Sequence, residues 1–175
     1  ELSGDKKETP SEFVKEFAHR VIDCGAHAVV GHGPHLLRPI EISNNRPIFY
    51  SLGDFALQLY NVETAPEEFF SKYGLSAATA TVHELLKIRS DNFSRGLMED
   101  RRMFMAVIPF WEMEDGRLTS LRLMPIEMKM NGHKSEIGLP RRSDGKDIEK
   151  YLGEMCKEYG TKVNLDSDRI ITVTW

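Results

Sequence analysis

Apolar residues first recur at helical spacing near the start of the chain. Phe13, Val14, Phe17, Ala18, Val21 and Ile22 make one stripe, which predicts an amphipathic helix. Thr9, Pro10 and Glu12 read as its capping box with proline at the first helical position, and Gly25 reads as its stop. The apolar run 26–30 predicts a short buried strand, and Gly31-His32-Gly33-Pro34-His35 follows it as a loop. Layered α/β proteins place ligands in polar, glycine-rich loops at the ends of strands. Two further apolar runs, 37–42 and 48–52, flank Ser43-Asn44-Asn45-Arg46-Pro47 and predict a hairpin, since asparagine tolerates positive φ and proline resists a central ladder.

Periodicity weakens over 61–100, where 66–72 and 79–89 have helical character. It returns at 102–113 and 118–128, two runs around Asp115-Gly116, a strong hairpin signal. Partial alternation of Leu118, Leu121, Leu123 and Ile126 predicts that one face of this hairpin is wet. A polar connection is expected over 129–142, a helix over 146–159 with Gly160 as its stop, and a closing strand over 169–174. With no repeats and no linker, 1–175 reads as α/β with mixed strand directions.

Composition narrows the functional classes. Hydrophobic residues make up 41% and charged residues 29%, enough apolar surface for a core and too much for disorder. The net charge of −4 leaves no basic excess to neutralise phosphates along a duplex, which argues against a nucleic-acid partner. The most apolar run, 103–111, falls far short of the ~20 residues of a membrane span. Cys24 and Cys156 form no CxxC pair and read as small hydrophobes, and the methionines between 103 and 124 read as filling strand cores. A chain beginning at Glu1 without an initiator methionine reads as a processed product or a piece of something longer.

His32 and His35 are the leading chemical pair. Pro34 between them disfavours a helix, while Gly31 and Gly33 permit a bend that gathers both imidazoles. Neutral imidazole is a common metal ligand, but two ligands fall short of the three that catalytic zinc usually takes. Arg38 is a candidate to bind a substrate phosphate or carboxylate, against the bland reading of a solvated arginine. Glu41 is a second substrate-side candidate, able to order a histidine as a supporting carboxylate or to make a surface ion pair. His19 and His27 read as solvent-facing, and Phe49 and Tyr50 as strand packing. Ser51 lacks the elbow context of a serine nucleophile, and His83-Glu84 lacks the second histidine of a metalloprotease helix.

The stretch from Asp23-Cys24-Gly25-Ala26 through Gly31-His32-Gly33-Pro34-His35 continues into Pro39-Ile40-Glu41-Ile42 and Pro47-Ile48-Phe49-Tyr50-Ser51-Leu52-Gly53-Asp54-Phe55. It resembles the bacterial capsule-synthesis CapA family, the poly-γ-glutamate synthesis proteins, over about residues 9 to 58. That resemblance implies a calcineurin-like metallophosphoesterase fold, a mixed-strand α/β sandwich holding two divalent metals, manganese, zinc or iron. His32 and His35 would be metal ligands and would act in catalysis through the metal. The family's remaining ligand motifs would lie upstream, so the resemblance implies the C-terminal portion of one domain, with Glu1 as the tail of a preceding motif. It further implies an extracytoplasmic setting, an anionic polymer or phosphoester substrate, and membrane-anchored capsule-synthesis subunits as partners. Two positions depart from the pattern: Gly33 stands where the family has histidine, and Asp54 where it has asparagine. They favour an alternative expectation, a non-catalytic polymer-binding or export-complex component of the same fold.

Overall fold

The computed structural model describes residues 7–96 and 99–175, so Glu1 and its expected motif lie outside the described residues. The first helix, α1 (Glu12–Asp23), starts later than the capping box predicts. Ser11 takes the N-cap and its side chain makes no cap bond. Pro10 therefore sits outside the helix, and Glu12, in the first turn, pairs with Lys15 at 2.7 Å. Ala18 and Ile22 are buried against Ile48 and Tyr50, with Val14, Ala26 and Val29 around them. The apolar stripe is only half used: Phe13 is 70% and Phe17 56% exposed.

Strands β1 (Val29–Val30), β2 (Ile40–Ser43) and β3 (Arg46–Phe49) form one sheet in the order β1-β3-β2. β1 runs parallel to β3, and β2 antiparallel to it. The hairpin turn is tighter than expected. Asn44 and Asn45 both take positive φ (49° and 62°), a two-residue turn of the type that matches strand twist. Arg46 and Pro47 therefore open β3 instead of forming the turn. Pro47 is tolerated because pairing with β1 begins only at Ile48. Backbone bonds from Arg38 to Ser51 and from Tyr50 to Pro39 carry the hairpin past its formal ends.

The second sheet is built on the Asp115-Gly116 hairpin of β4 (Met105–Glu114) and β5 (Arg117–Met128). Its order is β4-β5-β8-β7, with β6 (Pro140–Arg142) beside β5, so the end of the expected polar connection is a strand. β8 (Ile171–Thr174) lies where the closing strand is predicted, and β7 (Lys162–Leu165) is a strand the pattern missed. A four-residue segment with one buried apolar side chain, Val163, carries too few positions to show a period. α4 (Lys146–Cys156) runs into a short 3-10 turn ending at Tyr159.

The layers follow from alternation along β3. Ile48 and Tyr50 face α1, while Phe49 joins Ile40, Leu121, Leu123, Ile148 and Leu152 in the core shared with the second sheet and α4. α2 (Glu67–Lys72) and α3 (Val82–Arg89) make a separate cluster around Phe70, Val82 and Leu85. α3 is capped by a full Thr81/Glu84 box. Of the methionines expected to fill the core, Met103 and Met105 are buried, while Met113 and Met124 are only partly buried. Both cysteines are free; Cys156 is buried, but Cys24 is exposed beyond the end of α1, correcting its expected packing. The architecture is mixed α/β, with two sheets and four α-helices among the described residues. No helix among them is long and apolar enough to cross a membrane.

Candidate functional site

The loop after β1 begins as a continuation of the sheet, because the Gly31 N–H donates to the Phe49 carbonyl at 2.7 Å. Gly33 then takes φ +120°, a conformation that L side chains rarely adopt. The expected histidine of the family pattern would be strained there, so the glycine answers a backbone demand in this loop. His35 is left-handed (φ 61°), a conformation in which histidine is several-fold enriched among non-glycine residues. His32 is exposed and His35 half-buried.

His35 Nδ1 lies 2.9 Å from Asp54 Oδ2. An ionised carboxylate only accepts, so Nδ1 carries the proton and Nε2 is the nitrogen that remains for a metal or substrate. A carboxylate on the far nitrogen of a ligating histidine is the usual way such a ring is oriented and made more basic. The topology makes the contact. β1 and β3 are parallel neighbours, so the loops leaving their C-terminal ends lie side by side, one carrying His35 and the other Gly53-Asp54. Sequence reasoning treats Asp54 only as a departure from the family's asparagine and misses its histidine. The missing information was the strand pairing; the nearest signal is that both segments end in short glycine-bearing loops.

Glu41 does order a histidine, but His19 of α1 and not one of the loop pair. Its Oε1 lies 2.8 Å from His19 Nε2, and its Oε2 accepts from the Tyr50 hydroxyl at 2.7 Å. Burial, then the hydrogen bond to Glu41, pushes the Tyr50 phenol far above its ordinary range. His19 is thus held by a carboxylate, though half its ring surface remains exposed; His27 is exposed as expected. Arg38 corrects its solvated reading: it is 1% exposed, and its Nε donates to the Lys7 carbonyl at 2.9 Å. The structure thus brings His35 and Asp54 together, keeps His32 on the same loop, and sends Glu41 and Arg38 to the α1 side and the interior. Among the described residues, no group of three histidine, cysteine or carboxylate side chains is placed to hold a metal.

Comparison with known proteins bears on the same region. Residues 2–59 match the family described as bacterial capsule synthesis protein PGA_cap. The protein y4sH of Sinorhizobium fredii is 30% identical over 95% of this chain, which spans 38% of that protein's length. The PGA biosynthesis protein CapA of Bacillus subtilis is 31% identical over 63% of the chain and 31% of its own length. A probable polyglutamine synthesis accessory protein of Mycobacterium tuberculosis is 43% identical over 65 residues, 37% of this chain and 17% of its own. The glycine-histidine loop, the β2–β3 hairpin and Asp54 all fall inside the family match, so the part of the chain that carries the candidate site is similar to the bacterial capsule synthesis proteins, CapA of Bacillus subtilis among them.

Proposed function

We propose that this chain is part of an accessory protein of capsule or polyglutamate synthesis with a metallophosphoesterase-like fold, and that His32 and His35 hold a divalent metal, manganese, zinc or iron. The observation that carries this is the Asp54–His35 contact, which fixes one ring nitrogen as donor and leaves the other for ligation. The donors fit such a site in kind. In number they are two, so the remaining ligands and the second metal belong with polypeptide beyond the described residues. A bound pair of metals supplies Lewis-acid polarisation of a phosphoryl or acyl oxygen and an acidified water.

The chain's own residues do the positioning. Asp54 accepts a hydrogen bond from the His35 Nδ1–H and holds the ring against rotation. Gly33 lets the loop turn at a positive φ where a side chain would be strained. Arg38, buried, ties the segment before α1 to the hairpin through the Lys7 carbonyl. The substrate class is an anionic polymer or a phosphoester, handled with membrane-anchored synthesis subunits as partners.

The test measures metal content of the longer protein carrying this sequence, with His32 and His35 intact or both replaced by alanine. Loss of metal in the double variant is expected; equal content removes the metal assignment. Metal-dependent hydrolysis of a generic phosphodiester, abolished by His32→Ala, supports the enzyme. Polymer binding without turnover would identify a non-catalytic component instead.

A further inference from the structure

Strand β7 is an open edge of the second sheet: among the described residues it pairs with β8 alone. The Asp166 N–H donates to the Ile170 carbonyl at 2.9 Å, in register with the β7–β8 ladder. Hydrogen-bonding direction alternates along an antiparallel strand, so Asn164 and Lys162 also address β8. The N–H and C=O groups of Val163 and Leu165 therefore point outward. That is the side on which the Thr161 N–H meets the Cys156 carbonyl at 3.2 Å.

Beside this edge runs a groove of about 380 Å³ whose other wall is a flank of α4. Glu149, Gly153 and Lys157 follow one another there at four-residue spacing, with Lys150 and Glu154 beside them and Lys162 on the strand. None of these five charged side chains makes an ion pair or hydrogen bond among the described residues. Mixed in sign, they suit neither a polyanion nor a polycation. Packing within the chain does not call for the glycine. Glycine inside a helix is destabilising relative to alanine, and a Cβ here would meet only Val163 Cγ2, at an ordinary 3.4 Å.

The charge order complements itself. Glu149 and Lys157 lie equally far from Gly153 along the chain, on opposite sides and with opposite signs. We propose that a second copy of this chain docks on this groove about a two-fold axis beside Gly153 and Val163, joining the two sheets edge to edge through β7. The two α4 helices then run antiparallel, and each Glu149 meets the partner's Lys157, as a self-complementary patch requires. Without a side chain at Gly153 the helix backbones can approach at the axis. Gly153 lies against Val163, so the same axis sets Val163 against its copy, and their outward N–H and C=O groups close two ladder bonds. Lys162 then faces the partner's Asn164 and not a second lysine. The ion pairs fix register more than they add affinity. A four-residue strand and one helix flank make a small interface, so the dimer is weak. It is separate from the histidine loop and stands whether or not a metal is held.

Sedimentation equilibrium of the longer protein carrying this sequence, from about 1 μM to 1 mM, is expected to show monomers and dimers in exchange. Glu149→Lys alone and Lys157→Glu alone each bring like charges together twice, and each is expected to weaken association at least about tenfold. An equimolar mixture of these two variants restores opposite charges at both contacts. It is expected to dimerise as tightly as the unaltered protein, which a folding defect would not mimic. Gly153→Gln favours the helix and blocks the axis, so association is expected to disappear without a fall in melting temperature. Hydrogen exchange at the Val163 and Leu165 amides is expected to slow as concentration rises. A protein that stays monomeric across the series overturns the proposal, whether those amides are open or already covered by other polypeptide of the same chain. So does a dimer that neither charge reversal nor Gly153→Gln weakens.

Discussion

Gly53→Ala probes how tightly the site is fastened to the second sheet. Gly53 has φ +75°, and a Cβ built on it lies 2.4 Å from the Met105 carbonyl oxygen and 3.0 Å from the Ala106 Cα. Even a close carbon–oxygen contact needs about 3.3 Å, so the overlap approaches ~0.9 Å. Both neighbours are backbone, so no side chain can swing aside. The left-handed conformation costs about 1–2 kcal/mol for alanine, against which the stiffer unfolded chain returns about 0.4–1 kcal/mol. Relieving the overlap moves β4 away from residue 53 and weakens the bond from the Val107 N–H to the Leu52 carbonyl, now 3.0 Å. Overpacking of this kind costs about 1–3 kcal/mol, which brings the net loss to about 3 kcal/mol. With a urea dependence of about 2 kcal/mol per molar, the denaturation midpoint falls by about 1.5 M. Gly160→Ala is the control: its φ is +70° with nothing within 4 Å of the added Cβ, so only the conformational cost applies, a drop of about 0.5 M. Equal midpoints for the two variants would show that β4 yields freely, and would refute the argument from close approach.

Other expectations are independent of that contact. Asp54→Ala leaves His35 Nδ1 without its acceptor, so calorimetric titration of the longer protein with manganese or zinc is expected to show affinity reduced about 10–100-fold. Asp54→Asn keeps an accepting oxygen and loses less; identical affinities in all three proteins would remove the role. The Arg102 guanidinium holds the Asp100 carboxyl below its ordinary range. The folded state then binds fewer protons than the unfolded one, so this stabilisation is complete above about pH 4 and fades as pH falls through the depressed folded value. Asp100→Asn should therefore flatten the acid limb of stability against pH, and an unaltered limb would assign acid sensitivity elsewhere. Iodoacetamide should label exposed Cys24 and spare Cys156, whose thiol is buried and shifted upward by desolvation, until the protein unfolds. Simultaneous labelling in native buffer, followed by mass spectrometry, would contradict that burial.

Local chemistry carried most of the elements. Asp115-Gly116 between two apolar runs gave its hairpin because a two-residue turn demands positive φ at both positions, and these residues supply it. The α4 stripe, with Ile148, Leu152 and Cys156 buried, follows directly from helical spacing. The histidine loop was legible for the same reason, since glycine and proline act within a few residues. Where spacing was short or partners distant, the reading slipped. Thr9 and Pro10 mimic a cap, yet the helix begins two residues later than they suggest. β7 is too brief to show a period.

What the tertiary structure alone decided is who meets whom. Phe13 and Phe17 share the apolar pattern of Ala18 and Ile22, and nothing along the chain says that two are buried and two are exposed. Glu41 was a candidate partner for some histidine, but only the packing of α1 on β2 makes it His19. Asp54 stands 19 positions from His35, and their contact exists because β1 and β3 run parallel and bring two loops to one end of the sheet. Residue type and spacing determine backbone conformation, because those forces act over a turn or two. Strand pairing and helix docking balance contributions from the whole core, and the site is assembled at that level.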